Sequence, residues 1–187
     1  GGVRIVYPVK EKRRIATVFI RGSKPVGQKL VGEGLKTAAG RLLAPADLRE
    51  DRETILKRCH TQGYFFAEAT TQVEELPGAA ANVSFILSPG PRVRVCAVRF
   101  RGNAIATEGE LADQMQTQEV SFFGLINKGY FSPRRLGEDV AQLRKYLRSV
   151  KGLLDATVGV EEISFDPARE RMEITIGVDE GPPYALR

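Results

Sequence analysis

Apolar and polar positions alternate over two short stretches that are near copies of one another. RIATVFIRG at Arg14–Gly22 and RVCAVRFRG at Arg94–Gly102 stand 80 positions apart. In each, apolar side chains (Val18 and Ile20; Val98 and Phe100) alternate with polar or charged neighbours ahead of a turn glycine, the period of a half-buried strand. The likeness continues past the strand. At the same offset Val31, Leu35 and Thr37 fall on Leu111, Met115 and Thr117. At an offset of 88, Leu43, Pro45, Leu48, Asp51 and Ile55 fall on Phe131, Pro133, Leu136, Asp139 and Leu143, and at 89 Gly63 and Ala67 fall on Gly152 and Ala156. The extra length of the second copy sits in QEVSFFGLINKGY, as a loop insertion would. The chain is two copies of one unit.

Each copy predicts strand, helix, helix, strand, strand. A short first helix carries Leu30, Val31 and Leu35 in the first copy, and Leu111 and Met115 in the second. The second helix opens on Pro45 or Pro133, where a missing N–H costs nothing, with Ser132 as a suitable N-cap. Leu48, Ile55 and Cys59, and likewise Val140, Leu143, Leu147 and Val150, then recur at helical spacing. Gly63 and Gly152 stand where a left-handed residue would end each helix. Two strands close each unit, Ala67–Val73 with Ala81–Leu87 and Ala156–Ile163 with Met172–Val178, joined by turns at Pro77–Gly78 and Asp166–Pro167. The opening VRIVYPVKE is similar to the closing strand ITIGVDEG, and Tyr184–Leu186 to the start of a first strand. Residues 1–12 are therefore expected to close a preceding unit, 13–91 and 92–183 to form the two complete ones, and 184–187 to begin another.

Composition narrows the function. The 187 residues contain one histidine and two cysteines 37 positions apart. That excludes multi-histidine zinc sites, CxxC pairs and a disulfide framework. Cys59 and Cys96 are expected to be reduced and buried in separate cores, Cys96 because it shares strand parity with Val98 and Phe100. No apolar run approaches the roughly 18 residues a membrane-spanning helix needs. Gly22–Lys29 misses a phosphate-binding loop, because Gln28 intervenes and no hydroxyl follows Lys29. The recurring acids Glu50–Asp51 and Glu138–Asp139 suit the charge preference of a helix start and need no catalytic role. Without a clustered nucleophile, base or metal set, the expectation is no enzyme, no cofactor and no metal.

Charge adds one alternative. The chain is net +5, and residues 1–92 contribute 15 basic side chains against 9 acidic ones. Such a patch attracts nucleic acid or anionic lipid. It lacks the aromatic side chains that stack bases, and no GxxG loop joins the two helices as a KH-type RNA-binding unit requires. No nucleic-acid function is expected, and a basic nucleic-acid-binding module stays as the alternative from another class.

The ordered motifs carry a family resemblance. VRFRGN at Val98–Asn103, GYFSPRRLGEDVAQLRKYLRS at Gly129–Ser149, GLLDATV at Gly152–Val158 and VDEGPPY at Val178–Tyr184 resemble the POTRA (polypeptide-transport-associated) domain of BamA-like outer-membrane assembly factors. LREDRETI at Leu48–Ile55, GYFFAEA at Gly63–Ala69 and SPGPRVRV at Ser88–Val95 are the counterparts in the first copy. The fold implied is α+β, tandem units each with a three-stranded mixed sheet covered by two helices, the closing strand central and the second strand at an edge.

The function implied is a non-enzymatic periplasmic scaffold belonging to an outer-membrane protein. It would bind nascent, unfolded outer-membrane polypeptides and accessory assembly lipoproteins by strand addition and serve a membrane β-barrel of its own. The arm of a two-partner secretion exporter is the alternative within the fold. Unpaired edge groups accept an extended peptide with little sequence demand. The expected docking residues are Ala67, Ala69, Thr70 and Thr71 in the first unit and Ala156, Val158 and Val160 in the second, with a groove toward Leu35 or Met115 selecting apolar side chains. Phe122, Phe123, Leu125 and Ile126 form a possible partner loop.

Overall fold

The computed structural model describes residues 12–117, 119 and 129–182. By packing, the chain divides into two compact units. One comprises the residues up to Arg58 together with Glu68–Pro89, and the other Cys59–Ala67 together with the chain from Gly90 onward. The strands are β1 (Arg14–Arg21), β2 (Glu68–Leu76), β3 (Ala80–Ser88), β4 (Arg94–Arg101), β5 (Thr157–Phe165) and β6 (Arg171–Asp179). The helices are α1 (Gln28–Gly32), α2 (Pro45–Thr61), α3 (Glu108–Ala112) and α4 (Pro133–Ser149).

Two three-stranded mixed sheets result, ordered β1-β3-β2 and β4-β6-β5. The first strand runs parallel to the central one and the hairpin strand antiparallel. This is the α+β arrangement expected, with the closing strand in the middle. Ala81, Val83, Phe85 and Leu87 of β3 are buried, and Met172, Ile174, Ile176 and Val178 of β6 likewise. Burying each of the larger side chains stabilises by roughly 1.5–3 kcal/mol. Gly22 and Gly102 end the first strands with φ of +76° and +82°. A Cβ at either would collide with the carbonyl oxygen of Leu87 or Val178, so the backbone of the turn lies directly on the end of the central strand.

Several expectations need correction. The first helices stop after five residues, so Leu35 and Met115 lie in the connection beyond them. In the first unit Gly32 and Gly34 (φ +63°) weaken any continuation. Ser132 occupies the N-cap position of α4, but its side chain makes no capping hydrogen bond. Val150 follows the last helical residue and is 69% exposed. Cys59 is fully buried, whereas Cys96 is half-exposed. A β-bulge between Val95 and Ala97 inserts Cys96 as an extra residue in β4 and breaks the parity that would have buried it. The same bulge recurs in β1 between Ile15 and Thr17.

Candidate strand-docking site

Four sheet edges are available for pairing, β1 and β2 in the first unit, β4 and β5 in the second. The sequence-selected residues fall unevenly on them. Ala69, Thr70 and Thr71 lie on β2 opposite Leu87, Ile86 and Phe85, with Thr70 exposed. Val158 and Val160 lie on β5 opposite Val178 and Ile176, the first buried and the second exposed. Ala67 and Ala156 precede the strands, are buried, and donate their N–H groups to Tyr64 O (3.2 Å) and Leu153 O (3.0 Å). They are supports of the edge and offer no donor to a docked chain. Phe122, Phe123, Leu125 and Ile126 lie outside the described residues.

The two hairpin edges differ in how they are finished. β2 keeps an unbroken register with β3 over all nine residues. β5 shifts register between Val160 and Glu162, and the side chain of Glu161, the extra residue, lies over Gly177, where a Cβ would collide with it. Arginines from α4 also reach this edge: Arg144 Nη2 donates to Val158 O (3.1 Å) and Arg148 Nε to Ala156 O (3.0 Å). A strand added there would have to displace both guanidinium groups. The corresponding carbonyls at Ala67 and Ala69 receive no side-chain donor among the described residues. A bulge and side chains folded over the backbone are ways an edge is protected, and β5 has both. β2 has no bulge and, among the described residues, takes an arginine only at its hairpin end, where Arg13 Nη1 donates to Leu76 O at 3.3 Å.

The groove beside the first helix follows the other edge. Leu35 lines it with Ala16, Thr17, Val18 and Ile20 of β1, and Met115 lines its counterpart with Val98 of β4. The expectation that this groove serves β2 and β5 is therefore corrected: α1 and α3 lie along β1 and β4, at the opposite side of each sheet. The first-unit groove measures about 850 Å³, the second about 220 Å³. Part of the closure of the second comes from Glu119, whose Oε1 accepts the Val98 N–H at 2.9 Å.

Buried carboxylates hold the framework behind these edges. Asp51 (2% exposed) accepts the N–H groups of Lys36 (2.8 Å) and Thr37 (2.6 Å), and Asp139 (1%) those of Gln116 (2.7 Å) and Thr117 (2.9 Å). These acids, read from the sequence as helix-start charges, instead fix the connection leaving α1 or α3. Their recurrence together with Thr37 and Thr117 was the available signal. Glu180 is also buried and accepts the N–H groups of Ala104, Ile105 and Ala106 at 2.8–3.1 Å. Pro89 stands in its place in the first unit, where Ser23 O accepts Val26 and Gly27 N–H instead. Among the described residues no three His, Cys, Asp or Glu side chains converge as a metal site. Burial pushes the Cys59 thiol up. Burial also pushes the Tyr130 phenol up, but the hydrogen bond and charge of Arg94 and the charge of Arg92 outweigh it and lower the pKa.

Duplication, strand order and the shared turn geometry agree with one match. The POTRA family (surface antigen variable number repeat) aligns with residues 13–90 and again with 93–181. The chain belongs to the POTRA family. It is 26% identical over 187 residues to the outer membrane protein assembly factor BamA of Nitratidesulfovibrio vulgaris, covering 99% of this chain and 23% of that protein. BamA of Buchnera aphidicola is 21% identical over 108 residues, 57% of this chain and 17% of that one. The chain thus spans less than a quarter of these relatives. Among solved structures, POTRA3-5 of Haemophilus influenzae BamA superposes with a TM-score of 0.65 at 19% identity, covering 96% of this chain and 70% of that one. POTRA1-2 of Omp85 from Anabaena gives 0.58 at 19% identity, covering 94% and 100%. These likenesses establish the POTRA fold in both repeats, within which the four edges differ as described.

Proposed function

We propose that these two POTRA repeats are part of the periplasmic scaffold of an outer-membrane β-barrel assembly protein, and that they receive unfolded outer-membrane polypeptides by strand addition. The observation that carries the reading is the β2 edge, nine residues in continuous register with one side unpaired in its sheet, no bulge, and an arginine contact confined to its last residues, Arg13 on Glu75 and Leu76 O. Membrane barrel strands are about ten residues long and alternate apolar with polar side chains, and one lying against β2 matches it in length. Main-chain hydrogen bonds supply the affinity and alternate side chains a mild selectivity. A scaffold for many sequences needs that division. Accessory assembly lipoproteins are further partners in this reading, and similarity to BamA supports the assignment to outer-membrane assembly.

Proline scanning tests it. Adjacent residues on an antiparallel edge alternate between bonding the neighbouring strand and facing outward, so one of Thr70→Pro and Thr71→Pro removes an outward donor and leaves the β3 ladder intact. The probe is a ten-residue peptide alternating valine and threonine, followed by amide chemical shifts of the whole chain. The folded variant is expected to bind at least about tenfold more weakly, the loss of roughly 1.4 kcal/mol or more that one outward hydrogen bond represents. Unchanged binding in the folded variant overturns addition at β2.

A further inference from the structure

We propose that the groove between β1 and α1 of the first unit is a second strand-accepting site, selective for an extended apolar segment that carries carboxylates. The inference rests on the strand-addition reading above and assigns it an additional edge and a class of ligand.

The equivalent strands of the two units supply the argument. β1 and β4 share the same bulge, and Val18 and Val98 occupy equivalent positions opposite Val83 and Ile174 of the parallel central strands. The Val98 N–H faces out of the sheet, since Glu119 Oε1 receives it at 2.9 Å. The Val18 N–H faces out in the same way and has no acceptor among the described residues. The beginning of β1 is already occupied, with Ile15 N–H on Arg41 O (2.8 Å) and Gly40 N–H on Ile15 O (2.7 Å). The free stretch is therefore Ala16–Arg21. A strand rises about 3.3 Å per residue, so five or six residues of an added chain would fill it.

The walls define what that chain must be. Ala16, Val18, Ile20 and Leu35 give the groove an apolar floor, and Lys29 and one acid, Glu33, stand on its rim. Over residues 14–41 there are six basic side chains and one acidic, net +5; over the equivalent 94–121 there are three basic and four acidic, net −1. Some of the first-unit cations are committed: Lys36 pairs with Glu50 at 2.6 Å, Arg14 donates to Gly40 O and Arg41 to Lys36 O, and Arg21 lies over the Phe19 ring at 5.8 Å. Lys24, in the turn after β1, and Lys29 are exposed and pair with no carboxylate among the described residues. The second unit places a carboxylate of its own on the outward N–H. The first presents an open N–H, an apolar floor and two lysines without a carboxylate partner, its one groove-lining acid, Glu33, making no hydrogen bond to that N–H among the described residues. An incoming acidic side chain meets in the first unit what Glu119 meets in the second, with added attraction from the local charge.

The experiment uses the full chain and two blocked ten-residue peptides, each a valine–threonine alternation flanked by paired glutamates or by paired lysines. The glutamate peptide is expected to shift the Val18 and Ile20 amides and slow Val18 N–H exchange, and to bind at least about tenfold tighter than the lysine peptide. Exchanging both lysines in Lys24→Glu/Lys29→Glu, at exposed positions, should reverse that preference without altering the fold. Val18→Pro should remove the β1 response while leaving any β2 response in place. Equal binding of the two peptides, or a preference that survives Lys24→Glu/Lys29→Glu, overturns the inference. A response abolished by proline at Thr70 or Thr71 but untouched by both β1 changes also overturns it, yet leaves strand addition at β2 standing. No response at β1 or β2 with either peptide overturns both.

Discussion

The two units share topology, bulge and turn geometry, yet they finish their edges in opposite ways. In the second, Glu119 caps the β4 edge and Arg144, Arg148 and the Glu161 bulge occupy β5. In the first, β2 runs unbulged and the β1 groove stays wide. A duplicated fold therefore need not duplicate a binding surface. What is held constant is the framework; what varies is a handful of side chains that occupy or release main-chain groups.

The framework side of the comparison breaks with the largest effect. Asp51 and Asp139 each accept two buried or half-buried N–H groups. Asp51→Ala and Asp139→Ala each leave those donors unsatisfied, and charge-assisted hydrogen bonds contribute about 1.5–3 kcal/mol apiece. A loss of about 3 kcal/mol is expected in the unit that carries the change. Unit-resolved amide exchange measures it, with protection falling in one sheet at a time. A loss below about 1 kcal/mol in both would show that the clamps do not hold the framework.

The edge side is sharpened by unmasking β5. Arg144→Ala with Arg148→Ala frees the carbonyls of Val158 and Ala156 at a stability change of about 1 kcal/mol or less, because both arginines are exposed on α4. The valine–threonine peptide should then perturb β5 amides that it leaves unmoved in the parent chain. The response should stop short of Glu162, where the bulge interrupts the register. If β5 responds equally in parent and variant, the arginines do not mask it.

The sequence made the framework far more legible than the edges. Alternation and repeat offsets located the six described strands to within a few residues, because both depend on side chains facing a core. The strands expected at residues 1–12 and 184–187 lie, Lys12 apart, outside the described residues. Gly63 and Gly152 follow their helices with φ of +87° and +72°, as their place after each helical run implied. The β1 and β4 bulges were hidden because period-two reasoning has no place for an extra residue, which is why Cys96 was misplaced. Arg144 and Arg148 carry no signal in the helical spacing of α4 that they reach main-chain carbonyls; only their contacts with Val158 O and Ala156 O show it. Glu119 was hidden for the same reason, since its acceptor role depends on where a loop crosses an edge. Edge chemistry is set by long side chains meeting backbone groups distant in sequence, and no local pattern encodes that meeting.

The smallest expected effect separates the units by pH. Glu110 receives the Lys151 ammonium at 2.6 Å and, as the third residue of α3, closes a capping box with Thr107. Lys151 is the leading cause of a carboxyl pKa lowered to about 2, and the Thr107 N–H and hydroxyl contribute further. The first unit has Leu30 and Gln62 at the corresponding places and no such pair. A carboxyl lowered on folding stabilises fully above its unfolded value of roughly 4.3, and that contribution is lost as pH falls through the folded value. The loss should therefore span about pH 4.5 to 2 and be confined to the second unit. Because the pair is partly exposed, water and salt weaken it, so the direct measurement is the Glu110 carboxyl resonance rather than unfolding. It should titrate near 2 in the parent chain and move partway back toward 4.5 in Lys151→Met, the Thr107 hydrogen bonds keeping the remainder. A parent resonance titrating at the ordinary glutamate value would show that the Lys151 contact does not persist in solution.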